Sequence, residues 1–238
     1  MNRKKLILFD WGNVMMNSEF GDYRIQDVNR DIAEELRIDD SLVNRIVKGD
    51  GMWTLYGKAH DDYLSSILPP GKVKEFKGAW KKYMARLPWF DDVLETMSLI
   101  CQTGRTDIKT GILSVCSELD ASLIKDRAGL FVDYYFFSFS MGLTKPDRRI
   151  YALIENVLDI EGSSILYFDD LSSSILAAYK NGWNSVCIDG TKPDFIRRKC
   201  SEFIEQELKP NAHYEISRLM KEVYTKDIGV RMPVYAHS

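Results

Sequence analysis

Residues 5–14 run Lys5-Leu6-Ile7-Leu8-Phe9-Asp10-Trp11-Gly12-Asn13-Val14: four apolar residues lead straight into an aspartate and a Gly-Asn turn. A short apolar run without alternation reads as a strand buried on both faces, as in the middle of a parallel sheet. Asp10 then stands at the strand's carboxyl end, where open α/β sheets place their ligands. Taken alone, an Asp-x-Gly step after a strand is more often a turn. What else reaches the same edge decides the matter.

After this strand the pattern turns helical. Residues 27–36 place Val28, Ile32 and Leu36 at four-residue steps, an amphipathic helix. Helical patterns continue over 40–47, 61–68 and 72–84, broken by Gly49-Asp50-Gly51 and Pro69-Pro70-Gly71. Strands return at 110–115, 134–139, 165–168 and 185–188, alternating with helices over 91–101, 119–128, 148–158 and 175–180. That alternation predicts an α/β fold, a parallel sheet with helices on both faces. The expected division is a core of residues 1–16 plus 89–200, an inserted all-helical domain of residues 17–88, and a C-terminal helical extension of residues 201–238. Two helices are expected at 194–208 and 213–226, separated by Pro210.

The 238 residues are 45% apolar and 28% charged, enough to bury a sizeable core. The net charge of −3 argues against nucleic acid or an anionic membrane as the main partner. The four cysteines follow no metal-binding or disulfide spacing. Reduced, buried thiols are the expectation for them, Cys116 and Cys187 above all. Arg3-Lys4-Lys5 precedes only four apolar residues, too few for a signal peptide, and no stretch approaches membrane-spanning length. A soluble, cytoplasmic protein is expected. A homodimer stays open.

The residues that end each strand carry the chemistry. Strand one ends in Asp10, strand two in Ser114, and Lys145 and Asp169-Asp170 follow from later loops. In a parallel sheet these ends share one edge, so three carboxylates, a hydroxyl and an ammonium can converge. Close carboxylates repel by roughly 4 kcal/mol per pair at an effective dielectric of about 20. A hard cation with oxygen ligands, Mg²⁺ above all, relieves this and also neutralises a phosphate dianion. Asp10 could then attack phosphorus, while Ser114, Lys145 and the backbone N–H groups near Asn13 and Val115 hold the remaining oxygens. Singly, each of these residues has an ordinary reading as a turn or a helix cap.

Four segments in order carry a resemblance. They are Phe9-Asp10-Trp11-Gly12-Asn13-Val14; Ile112-Leu113-Ser114; Gly142-Leu143-Thr144-Lys145-Pro146-Asp147-Arg148-Arg149-Ile150-Tyr151; and Tyr167-Phe168-Asp169-Asp170 followed by Ser174-Ile175 and Ala177-Ala178. With these the chain resembles the haloacid-dehalogenase superfamily over roughly residues 5–190. The resemblance implies a Rossmann-like core, a mobile helical cap and magnesium-dependent phosphatase activity on a small phosphorylated metabolite. It implies Asp10 as nucleophile, Lys145 as the charge that steadies it, and Asp10, the Gly12 carbonyl, Asp169 and Asp170 around the metal. The Asp-x-Gly-Asn-Val form is similar to the branch containing phosphatases of glucose phosphorylated on its anomeric oxygen.

The sequence also departs from that pattern. The superfamily's phosphatases usually place a second aspartate, the general acid, where this chain has Gly12. Loss of such a group is worth roughly 10²–10⁴-fold in rate. Val115, Leu171 and Ser174 replace residues that are often polar or amides. In the helical insertion, Trp53, Tyr56 and His60 are candidates to meet the substrate, with His60 or Lys58 as a substitute proton donor, although a core aromatic and solvated side chains are the plainer reading. Alternatives are a phosphonoacetaldehyde hydrolase-like enzyme using Lys48 or Lys58, another hydrolase of C–X bonds, and a catalytically weak binding protein.

Overall fold

The structure, a computed structural model, describes residues 4–19, 22–48, 60–188 and 193–208. The described residues form one compact unit. Trp53, Tyr56, Lys58, the Asp189-Gly190 turn and the helix expected at 213–226 lie outside the described residues, as do the side chains of Lys48 and His60.

Among the described residues the sheet has five parallel strands: β1 (Lys5–Phe9), β2 (Ile108–Ser114), β3 (Tyr134–Phe137), β4 (Ile165–Asp169) and β5 (Asn184–Cys187). Their spatial order is β3-β2-β1-β4-β5. β1 is therefore central, as its unbroken apolar run requires: Leu6, Ile7, Leu8 and Phe9 are all buried. Leu6 and Leu8 face a core built with Ile150, Tyr151 and Ile154 of α8 (Arg148–Leu158) and Ala177 and Ala178 of α9 (Ser172–Lys180). Ile7 and Phe9 point to the other face by the twofold alternation of a strand, and there Phe9 stacks on Phe168. Gly111 sits where β1, β2 and β3 crowd together: a Cβ there would lie 2.7 Å from Leu8 Cδ2.

The described secondary-structure elements of the insertion, residues 17–88, are all helices: α1 (Ile25–Leu36), α2 (Asp40–Lys48), α3 (His60–Ile67) and α4 (Lys72–Met84). Its two connections to the core are hydrogen-bonded to each other. Asn17 N donates to Pro88 O at 2.8 Å and Phe90 N to Met15 O at 2.8 Å. A third tie is buried: Trp80 Nε1 of α4 donates to Asp120 Oδ1 at 2.8 Å, on the core helix α6 (Glu118–Ala128). Asp120 also receives the Ser117 hydroxyl at 2.7 Å and the Ser117 N–H at 3.0 Å. The cap's last helix is thus fastened to the core by an interior carboxylate whose partners are all neutral donors.

Three expectations need correction. The strand expected over 134–139 stops at Phe137, and Ser138–Met141 forms a single helical turn, α7. Ser138 explains the break, because its hydroxyl accepts from Cys116 N at 3.1 Å and donates to Cys116 O at 3.3 Å across the strand ends. The boundary expected at residue 200 falls inside α10 (Pro193–Ile204), which packs on α5 (Asp91–Gln102) through buried Ile196, Cys200 and Ile204. Residues 201–208 therefore belong with the core. Finally, Cys116 and Cys200 are buried free thiols, but Cys187 and Cys101 are exposed. Cys187 lies on β5, which among the described residues is an edge strand with no strand on its outer side.

Candidate active site

Register explains why distant residues meet. Phe9 pairs with Ile112 on one side and Phe168 on the other, so Asp10, Ser114 and Asp169-Asp170 emerge at the same edge. Asp10 N donates to Phe168 O at 2.9 Å, which extends the ladder one residue past the strand and fixes the Asp10 backbone. Lys145 comes from the loop between α7 and α8, ahead of Asp147, whose side chain caps α8 through Arg149 N.

The Lys145 ammonium lies between two carboxylates. Its Nζ is 2.9 Å from Asp10 Oδ1 and 2.6 Å from Asp169 Oδ2. All three side chains are buried, Asp169 completely and that of Lys145 to within 3% of full burial. Asp170 is half-buried beside them, and oxygens of Asp10, Asp169 and Asp170 lie within 4.8 Å of one another. Each pKa follows from this crowding. Burial, with Asp169 adding to it, raises Asp10 to about 6 against the pull of Lys145. Burial raises Asp170 too, with Asp169 adding and the Asn13 hydrogen bond opposing. Burial alone would depress Lys145, but Asp10 and Asp169 outweigh it and keep the ammonium charged. Three carboxylates facing one cation leave excess negative charge on oxygen donors. That donor set fits a hard divalent metal such as Mg²⁺.

Asp169 is held from three sides. Its Oδ1 accepts from Leu171 N at 2.7 Å, while Oδ2 accepts from Lys145 and from the Tyr167 hydroxyl. Burial and the adjacent Asp169 push the Tyr167 phenol well above its usual range, so it stays protonated and donates. Tyr167 is braced edge-on by Tyr151 and Trp183, and those rings are pinned in turn: Tyr151 donates to Ser174 O, Trp183 to Glu155. The sequence reading missed Tyr167. The signal was present, because residues two apart on a strand share a face.

Of the other expected residues, Ser114 is buried at the end of β2, and Val115 is 37% exposed at the rim. Asn13 is placed differently from its expected part in holding phosphate. Its backbone is left-handed, with φ 52°, and its N–H is already used, donating to Met16 O at 2.7 Å. Its side chain instead turns to Asp170, donating from Nδ2 to Oδ2 at 3.1 Å. Gly12 keeps its carbonyl, and a Cβ built on it meets nothing within 4 Å. Leu171 is exposed just past Asp170, and Ser174 is buried at the start of α9. No described helix is long and apolar enough to cross a membrane.

No family model matches the sequence, and no curated protein does either. Solved structures do match in shape. A HAD family enzyme from Bacteroides thetaiotaomicron, in complex with magnesium and inorganic phosphate, is 14% identical over 91% of this chain and 98% of that one, with a TM-score of 0.59. A predicted HAD-like family hydrolase from Porphyromonas gingivalis is 14% identical over 84% of this chain and 98% of its own, with a TM-score of 0.61. An L-2-haloacid dehalogenase is 16% identical over 84% and 99%, with a TM-score of 0.60. The chain has the fold of these proteins, a parallel α/β core with an inserted helical cap.

Proposed function

We propose that the protein is a hydrolase of the haloacid-dehalogenase kind, a magnesium-dependent phosphatase of small phosphorylated metabolites that carries the phosphoryl group on Asp10. The observation behind the reading is the buried Lys145 ammonium clasped by Asp10 and Asp169, with Asp170 adjoining. The magnesium and phosphate found together in the Bacteroides enzyme of the same fold support it. The Asp169-Asp170 pair favours phosphate chemistry over the alternative of C–X bond cleavage, because two further carboxylates beside the nucleophile serve a cation better than a neutral carbon centre.

In this mechanism Lys145 holds Asp10 Oδ1, which leaves the second oxygen of Asp10 to attack phosphorus. The P–O bond to the leaving group breaks as the Asp10–phosphorus bond forms. The Ser114 hydroxyl and the Val115 backbone hold phosphate oxygens at the end of β2, and Lys145 offsets the charge shared by Asp10 and phosphate. Asp10, Asp170 and the Gly12 carbonyl, with Asp169 beside them, would hold a magnesium ion, which would neutralise the phosphate dianion. Water then attacks phosphorus, and Asp10 leaves as a carboxylate.

Gly12 bears on the substrate. No carboxyl stands two residues past the nucleophile to protonate the leaving oxygen, so an ester with a good leaving group suits the site. Sugars phosphorylated on the anomeric oxygen meet that need. A panel of phosphate esters assayed with Mg²⁺ tests this: anomeric sugar phosphates are expected to exceed glycerol phosphate and phosphoserine in kcat/KM, and the reverse order contradicts the substrate assignment.

The Asp10 proton gives a second test. Its folded-state pKa, about 6, lies above the ordinary 3.8, so the metal-free folded protein holds this proton more tightly than the unfolded chain does. Asp10 therefore favours folding below the unfolded value, and that contribution is lost as pH rises toward about 6. A cation at Asp10 must displace the proton at acid pH but not at alkaline pH. The rise in Tm on adding Mg²⁺ is accordingly expected to be larger at about pH 8 than at about pH 5. An equal rise at both, measured by thermal unfolding, contradicts binding at this carboxylate.

A further inference from the structure

Asn13 is a polar residue of the first motif whose side chain the proposed chemistry does not use, yet both the nitrogen and the oxygen of its amide are hydrogen-bonded. Nδ2 donates to Asp170 Oδ2 at 3.1 Å. Oδ1 accepts from the Ser18 hydroxyl at 2.8 Å and from the Ser18 N–H at 3.3 Å. Ser18 lies where the chain leaves the core for the cap, and its carbonyl accepts the N–H of Ile25 at 3.0 Å. Ile25 is the first residue of α1, the first cap helix. A continuous hydrogen-bonded route therefore runs from a site carboxylate at the end of β4, through one side-chain amide, to the start of the cap.

The backbone holds that amide in place. Asn13 has φ 52°, a left-handed conformation that asparagine tolerates better than most residues. Its N–H closes a turn onto Met16 O, and Met15 and Met16 N–H groups both return to Trp11 O at 3.0 and 2.9 Å. The turn from Trp11 to Met16 is thus rigid at its base, and it presents Asn13 between Asp170 on one side and Ser18 on the other. Asp107 and Asp133, elsewhere on the core, bind arginine, or lysine and threonine. Asp170 instead takes a neutral amide that is itself fastened to the cap connection.

We propose that Asn13 is a positioning residue that couples cation binding at Asp170 to the seating of cap helix α1. A cation drawing on Asp170 fixes the carboxylate against which Asn13 is oriented, and Asn13 in turn fixes Ser18 and the first hydrogen bond of α1. By reciprocity, a cap seated through Ser18 pre-orients Asp170 for the cation. Substrate closure and metal occupancy would then be linked through one amide. The inference rests on the proposed function, since it takes the cation at Asp10 and Asp170 as given.

The test uses the full chain, Mg²⁺ alone as the probe, and two readouts that need no turnover. These are Mg²⁺ affinity by titration calorimetry, and amide exchange at Ser18 and Ile25 with and without Mg²⁺. In the wild type Mg²⁺ is expected to slow exchange at both amides. Asn13→Gly keeps the left-handed backbone and removes both links. It is expected to weaken Mg²⁺ binding about 10-fold, the scale of losing an outer hydrogen bond to a metal ligand, and to abolish the Mg²⁺-dependent slowing at Ile25. Ser18→Ala, which leaves the Asn13–Asp170 contact intact, is expected to reduce the slowing at Ile25 with a smaller loss of affinity. Wild-type Mg²⁺ binding without slowing at Ile25, or unchanged affinity and slowing in Asn13→Gly, overturns the inference alone. A wild-type protein that binds no Mg²⁺ overturns the metal-dependent phosphatase reading itself.

Discussion

Replacing Asp10 by asparagine is expected to lower kcat by about 10⁴-fold or more, the scale seen when a nucleophile that works as part of a unit is removed. The substitution is nearly isosteric, so the ladder hydrogen bond from the backbone N–H at this position to Phe168 O, 2.9 Å long, is retained. Charge balance argues that the variant folds. In the wild type Lys145 faces Asp10 and Asp169 together, and burial already works against the Asp10 carboxylate. The neutral amide of Asp10→Asn leaves Lys145 paired one-to-one with Asp169 and removes a charge that is costly to bury. Metal-free Asp10→Asn should therefore unfold at the same temperature as the wild type or above it at neutral pH. Lost activity in a protein of undiminished Tm assigns the loss to chemistry. Retained activity in that protein places the nucleophile elsewhere.

The second large effect is a gain. Gly12→Asp is expected to raise kcat on alkyl phosphates by roughly 10²-fold or more, within the range that general acid catalysis supplies. Sterics permit it: the Gly12 backbone is outside the positive-φ region, and an added Cβ meets nothing within 4 Å. The Gly12 carbonyl, proposed above as a metal ligand, is unchanged by a side chain on the same residue. The gain should depend on the leaving group. An alkoxide needs a proton as it departs, whereas a nitrophenolate does not, so glycerol phosphate should respond strongly and nitrophenyl phosphate little. Measured kcat ratios for the two substrates in wild type and variant check this. An equal response to both would mean that the new carboxyl acts through charge or metal affinity and not as an acid.

How much of this was legible in the sequence depends on whether a signal was local or relied on packing. The buried strand β1, the helical insertion and the strand–helix alternation follow from periodicity. The meeting of Asp10, Lys145 and Asp169 follows from their places at the ends of parallel strands and their connecting loops. Periodicity failed at residues 134–139, where aromatic residues suit a strand throughout but the Ser138 hydroxyl is needed to satisfy Cys116. It failed again at Cys187, because an apolar run does not reveal that its strand lies at the sheet edge. Asn13 shows a subtler limit. Sequence identifies a residue suited to a tight turn, but only the folded chain shows its N–H spent on Met16 and its amide turned toward Asp170. The Trp80–Asp120 tie joins residues forty apart and leaves no local mark.

The most direct test of the account follows where oxygen from water goes. In a single turnover with excess enzyme in water labelled with heavy oxygen, a phosphoryl group on Asp10 is released by attack at phosphorus. The label is then expected in inorganic phosphate, and the peptide bearing Asp10 should keep its ordinary mass. Label in the Asp10 carboxyl would mean that water attacked the carboxyl carbon of an alkyl ester, the route of C–X bond hydrolysis, and would contradict the phosphatase assignment. Label in phosphate, with a transient phosphorylated Asp10 peptide on acid quench, is the result the account predicts.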